Sequence, residues 1–95
     1  MLNELSLIIE DRKANPVEGS YTNRLLEAGE DEILKKVGEE AVEVILAAKA
    51  QGNQRLVEEI ADLLYHSLVL LSARGLSMAD IEEELSRRHQ LTNQK

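Results

Sequence analysis

An all-α domain, a bundle of about five helices built around one antiparallel helix hairpin, is the fold this sequence predicts. Three observations carry the prediction. Apolar residues recur at helical spacing along most of the 95 positions. They are drawn from Leu, Ile, Val and Ala, with Tyr21 and Tyr65 the only aromatics, a stock suited to helices packed on helices. Pro16, Gly29, Gly52 and Gly75 fall between the periodic stretches, where they act as stops.

Leu2, Leu5, Ile8 and Ile9 mark a first helix that must stop near Asn15, because Pro16 follows. Residues 17–20 form a connector. The hydroxyls of Ser20-Tyr21-Thr22 can cap a short helix bearing Leu25 and Leu26, which Gly29 ends. Glu30 or Asp31 opens the first arm of the hairpin, about 31–51, with acidic residues at its positive end. Leu34, Val37, Ala41, Val44, Ile45 and Ala48 are its expected core stripe. Gly52 is read as the helix stop and Asn53 as the next N-cap, so the second arm, about 53–74, returns antiparallel after a very short turn. Ser77 to Asp80 forms a Ser-x-x-acid cap on a last helix whose inner face is expected to carry Ile81 and Leu85. Residues 90–95 are polar and expected to fray.

Length and charge narrow the function classes. Ninety-five residues make one domain. With no Cys, disulfides, thiolate metal sites and a Cys nucleophile are excluded. Neither a membrane span nor a signal peptide is expected, so the expected location is the cytoplasm. The net charge of -7, from 18 acidic and 11 basic residues, argues against a nucleic-acid partner. A small polyphosphate stays compatible with it, because a divalent cation supplies the missing positive charge. The 53–74 arm is apolar almost all round, through Leu63, Leu64, Tyr65, Leu68, Val69, Leu70 and Leu71. A helix of that kind needs cover on more than one side, which five short helices hardly provide. A homodimer with this helix near its interface, Tyr65 included, is the expected remedy.

The chemistry lies on the hairpin. Glu40 and Glu43 on one arm, and Glu59 and Asp62 on the other, each place two carboxylates one turn apart on one face. The short turn brings all four within a few turns along the hairpin. Glu59 and Asp62 are flanked by Leu63, Val69 and Leu70, and carboxylates framed by apolar residues need a base or a cation. Lys36 and His66 are the two cations on these strips. Mg2+, with Mn2+ as a substitute, would balance the excess charge. A merely solvated acidic face accounts for the spacing as well.

The wider strings resemble a known family. Glu40-x2-Glu43 followed by Glu59-x2-Asp62 is similar to the signature of the all-α nucleotide pyrophosphohydrolase (MazG-like) superfamily. Ser20-Tyr-Thr22, Gly29-Glu-Asp31, the run from Ile33 to Val44, Ala47-Ala-Lys49 and the run from Glu59 to His66 resemble phosphoribosyl-ATP pyrophosphohydrolases of histidine biosynthesis, over roughly residues 3–89. The resemblance implies Mg2+-dependent hydrolysis of 1-(5-phosphoribosyl)-ATP to 1-(5-phosphoribosyl)-AMP and pyrophosphate, the pathway's second step. It also implies that Glu40, Glu43, Glu59 and Asp62 are the metal ligands, and that the chain is the stand-alone form of a domain elsewhere fused to the next enzyme.

Such a reaction needs phosphate charge neutralised and a water aimed in line. One of the four carboxylates, or Glu39, takes the proton; the sequence leaves open which. Lys36 and then Arg24 are the first candidates for the remaining phosphates, with Lys35 and Lys49 weaker. A helix pair with Glu40 accounts for Lys36 equally well. Tyr21 and Thr22, with Asn15, are candidates for the ribose or base. His66 is set outside the metal group, as a hydrogen-bonded core residue. Two competing readings are a housecleaning pyrophosphohydrolase of dUTP or damaged nucleoside triphosphates, and a non-catalytic helical dimerisation module.

Overall fold

Pro16 closes the first helix where expected. The chain, described by a computed structural model over residues 1–93 for the backbone and 1–89 for the side chains, folds as five helices. They are α1 (Leu2–Ala14), α2 (Tyr21–Ala28), α3 (Glu30–Ala50), α4 (Asn53–Ala73) and α5 (Met78–Asn93). The tail expected at 90–95 lies outside the fully described residues.

Local chemistry sets the boundaries. Asn15, at φ -129° and ψ 78°, leaves the helical conformation ahead of Pro16, ending α1. The Ser20 hydroxyl accepts the Asn23 N–H at 3.2 Å and caps α2. Buried Asn23 donates through Nδ2 to the Arg12 carbonyl at 2.8 Å and accepts the Val17 N–H at 2.9 Å. That one side chain pins the connector to the end of α1 and so fixes where α2 begins. Gly29 and Gly52, at φ 99° and 87°, turn the chain between successive helices in a conformation that side chains disfavour. Gly52 itself holds the N-cap place of α4; Asn53, expected there, is the first helical residue. The Asp80 carboxylate accepts the Ser77 N–H at 2.9 Å, the acid half of the expected cap of α5, while the Asp80 N–H donates to the Ser77 backbone carbonyl at 3.1 Å.

α3 and α4 form the central antiparallel hairpin, and α1 and α2 lie against it. Ile9, Leu25, Ile33, Leu68 and Val69 make the core, with Leu2, Leu5, Leu26, Tyr65, Leu70, Leu71 and Met78 packed around them. At the far end of the hairpin Arg74 clamps the start of α3, its Nε and Nη2 donating to the two Glu30 oxygens at 2.7 and 2.9 Å. Lys13 donates to the Ser72 carbonyl at 2.7 Å, tying α1 to the last turn of α4.

Two core expectations need correction. On α3 the buried residues are Ile33 and Ala47, whereas Leu34 and Ile45 are 44% and 59% exposed. The helix has two apolar faces, and the predicted stripe mixed them. Ile81 and Leu85 are exposed on α5, where Met78 is the side chain that reaches the core; Ile81 instead lines an apolar groove of about 270 Å³ with Leu2, Leu64, Leu68, Leu71 and Met78.

Candidate active site

The hairpin register brings carboxylates together. One ligand oxygen each from Glu40 of α3 and Glu59 and Asp62 of α4 lie within 4.8 Å of one another. Glu59 is the floor of this group, 4% exposed; Glu40 is half-buried above it, and Asp62 is exposed at the rim. Burial pushes the Glu40 carboxyl above its usual 4.5, and a hydrogen bond shared with Glu59 and the charge of Asp62 push it further. Protein groups alone leave the cluster short of positive charge. An all-oxygen set of three carboxylates suits a hard divalent cation, whose octahedral shell at about 2.1 Å spaces oxygens roughly 3–4 Å apart. The residues present therefore fit Mg2+ or Mn2+ after modest side-chain rotation.

The N-terminus of α2 closes one side of the same region. His66, one turn beyond Asp62, is buried, and its Nδ1 lies 2.7 Å from the Asp62 carbonyl. A carbonyl only accepts, so Nδ1 carries a proton. Nε2 faces the Tyr21 hydroxyl at 3.0 Å. Tyr21 stacks on Tyr65 with ring centres 6.2 Å apart, both rings meet His66 edge-on, and the Thr22 hydroxyl hydrogen-bonds that of Tyr65. The Arg24 guanidinium lies over the Tyr21 ring, 5.5 Å from its centre.

With this geometry in place, similarity to known proteins decides the family. The sequence model of phosphoribosyl-ATP pyrophosphohydrolase matches residues 2–89. The chain belongs to that family. It is 57% identical to a phosphoribosyl-ATP pyrophosphatase of Listeria welshimeri, over 93% of this chain and 84% of the relative. Against the phosphoribosyl-ATP pyrophosphatase of Clostridium acetobutylicum the identity is 53%, over 95% of this chain and 82% of the relative. A histidine biosynthesis bifunctional protein of Oceanobacillus iheyensis is 51% identical over 94% of this chain, which spans 41% of that longer protein.

Within this pyrophosphohydrolase fold, most of the residues singled out in the sequence fall in one region, with differences in detail. Glu43 is outside the group of three; one turn further along α3, its charge acts on Arg55. Glu39 points to solvent and pairs with Lys36 at 3.7 Å, so the partner of Lys36 is Glu39, where Glu40 was expected. Tyr21, Thr22 and Arg24 assemble together beside α4. Tyr65, expected at a dimer contact, is half-buried and engages Tyr21 and Thr22 of its own chain. Asn15 turns back to Asp11 at 3.1 Å, and Lys35 and Lys49 are exposed. His66 is the hydrogen-bonded buried residue expected. Arg55 is the residue missed: its Nη2 meets Glu59 at 2.5 Å and its Nη1 meets Glu58 at 2.9 Å. In the sequence it is one of several basic residues four positions before an acid, and only the burial of Glu59 sets it apart.

Proposed function

We propose that this chain hydrolyses 1-(5-phosphoribosyl)-ATP to 1-(5-phosphoribosyl)-AMP and pyrophosphate, the second step of histidine biosynthesis, with Mg2+ as cofactor and Mn2+ as a substitute. It is an enzyme of the family that cleaves this phosphoanhydride. The observation that carries the residue assignment is the convergence of Glu40, Glu59 and Asp62 from two helices onto one half-buried point. Those three would hold the metal, with Glu43 the next carboxylate along α3. Bound there, the cation would neutralise phosphate oxygens as a Lewis acid. One of the clustered carboxylates, or Glu39, would take the proton of the attacking water. Arg24 and Lys36 offer positive charge to phosphates from α2 and α3. Tyr21 and Thr22, held by His66 and Tyr65, bound the space on the α2 side for the nucleoside or ribose. A panel of phosphoribosyl-ATP, dUTP and the common nucleoside triphosphates tests the reading. Pyrophosphate release is expected from the first; release only from free triphosphates would move the chain to the housecleaning class.

The active form in this proposal is a homodimer. No helix among the described residues is long and apolar enough to cross a membrane, so the apolar residues left outside need other cover. Val42, Ile45 and Leu46 of α3 and Val57, Ile60 and Leu64 of α4 are all exposed on the hairpin. The radius of gyration, 15.2 Å, exceeds the roughly 12–13 Å of a compact domain of this length. A second copy laid on this face would bury the apolar groups and restore compactness.

A further inference from the structure

Arg55 is the part of the site to which the proposed reaction gives no task, and its position suggests one. Its guanidinium forks between exposed Glu58 and buried Glu59, at 2.9 and 2.5 Å. It is the basic side chain that the ion pairs bring to the three clustered carboxylates, and Glu43 adds to its negative surroundings. The two partners of the inner pair differ sharply in freedom. The Glu59 side chain is 5% exposed, fixed by burial, whereas the Arg55 side chain is 49% exposed and can swing away without opening a cavity. A guanidinium stays charged at any working pH. It cannot make room for a divalent cation by losing a proton, so it must move.

We propose that Arg55 is the site's resident counter-cation: it neutralises Glu59 while the metal is absent, and metal binding releases it to grip a phosphate of the substrate. The inference rests on the metal reading of Glu40, Glu59 and Asp62. Its first half follows from charge. A buried carboxylate is tolerated only when paired, and Arg55, 2.5 Å from Glu59, is its partner before any ion arrives. The second half follows from chemistry. Once freed, the planar fork stands at the edge of a metal-phosphate site and matches two phosphate oxygens at once. The pair also lowers the apparent metal affinity by the fraction of time it is closed. A pair closed about nine-tenths of the time costs about tenfold.

Calorimetric titration of Mg2+ into the full chain and into Arg55→Met and Arg55→Lys, with no nucleotide present, measures this directly. The expected result is affinity raised about tenfold in Arg55→Met, with a lower melting temperature for that variant only in the metal-free state. A second titration, of inorganic pyrophosphate into the Mg2+-loaded proteins, should show binding weakened in Arg55→Met and partly kept in Arg55→Lys. Should Arg55→Met fail to fold, a Mg2+-bound structure of the unmodified chain decides, with Arg55 expected to lie more than about 4 Å from Glu59. Metal bound with Arg55 still on Glu59, or Mg2+ affinity unchanged or reduced in Arg55→Met, would overturn the exchange and leave the metal site standing. No Mg2+ uptake by the unmodified chain would overturn both. Neither titration uses phosphoribosyl-ATP, so a wrong substrate assignment would show separately, in turnover.

Discussion

Two faces of α4 meet opposite burial problems. The face toward α2 and α3 carries Glu59, Tyr65 and His66, polar groups drawn inward and held by named partners (Arg55 on Glu59, Thr22 on Tyr65, Tyr21 on His66), with Asp62 exposed at its rim. The outer face carries Val57, Ile60 and Leu64, apolar groups left in water. Polar burial is tolerated where it is paired, and a shortage of positive charge there suits a cation. Apolar exposure is tolerated where a partner removes it. In the proposed reading one helix would serve chemistry on one side and self-association on the other, and each side can be broken separately.

The largest expected effect is on the polar side. Glu59→Gln or Asp62→Asn should lower pyrophosphate release at least about a hundredfold, since removing even an outer-shell partner of a metal costs 10–100-fold. The same variants should lose Mg2+-dependent stabilisation, which for a competent site is about 2.7 kcal/mol at a hundred times Kd. Differential scanning calorimetry with and without Mg2+ reads this. On the apolar side, Ile60→Asp should weaken self-association at least about thirtyfold, the loss of a hot spot worth about 2 kcal/mol, with sedimentation velocity as the measure. A monomer-dimer balance that ignores Ile60→Asp would assign the exposed face another role.

These sides were unequally legible in the sequence. The helix limits could be read because Pro16, Gly29, Gly52 and the Ser20 and Ser77 caps act locally. The acidic pairs could be read because their spacing survives folding unchanged. Which apolar face of α3 is core could not, because Ile33 and Leu34, and likewise Ala47 and Ala48, are sequence neighbours on different faces of an interleaved pattern. The packing of α4 and α2 against α3 is what decides that Ile33 and Ala47 go inside. Arg55 was hidden for a similar reason: pairing at i,i+4 is commonplace until one partner proves buried. Tyr65 sat in an apolar run and so suggested an interface, and its hydroxyl bond to Thr22 is a contact between helices that no spacing reveals.

Smaller effects sharpen the polar side further. Tyr21→Phe removes the hydroxyl facing His66 and should change kcat/KM about two- to tenfold, the range of one hydrogen bond, without altering Mg2+ affinity. Glu40→Gln should stabilise the metal-free protein at neutral pH. The Glu40 carboxyl titrates above its unfolded value of 4.5, so the folded state holds its proton more tightly. Its contribution is therefore most favourable below that value and is lost as pH rises through the raised folded one. The melting temperature of the metal-free protein should fall across that window, and the fall should flatten in Glu40→Gln. The smallest shift belongs to Glu30→Gln. Hydrogen bonding to Arg74 holds Glu30 below 4.5, so the clamp's stabilisation is present above that pH and is lost as pH falls through the lowered folded value. Its exposure means that salt should weaken it as well.

The most direct test is the initial rate of pyrophosphate release from 1-(5-phosphoribosyl)-ATP, followed as Mg2+ is raised from zero, for the unmodified chain and for Glu59→Gln. The account predicts saturable Mg2+ dependence in the first, reversed by a chelator, and near silence in the second. A rate indifferent to Mg2+, or equal in the two proteins, would contradict it.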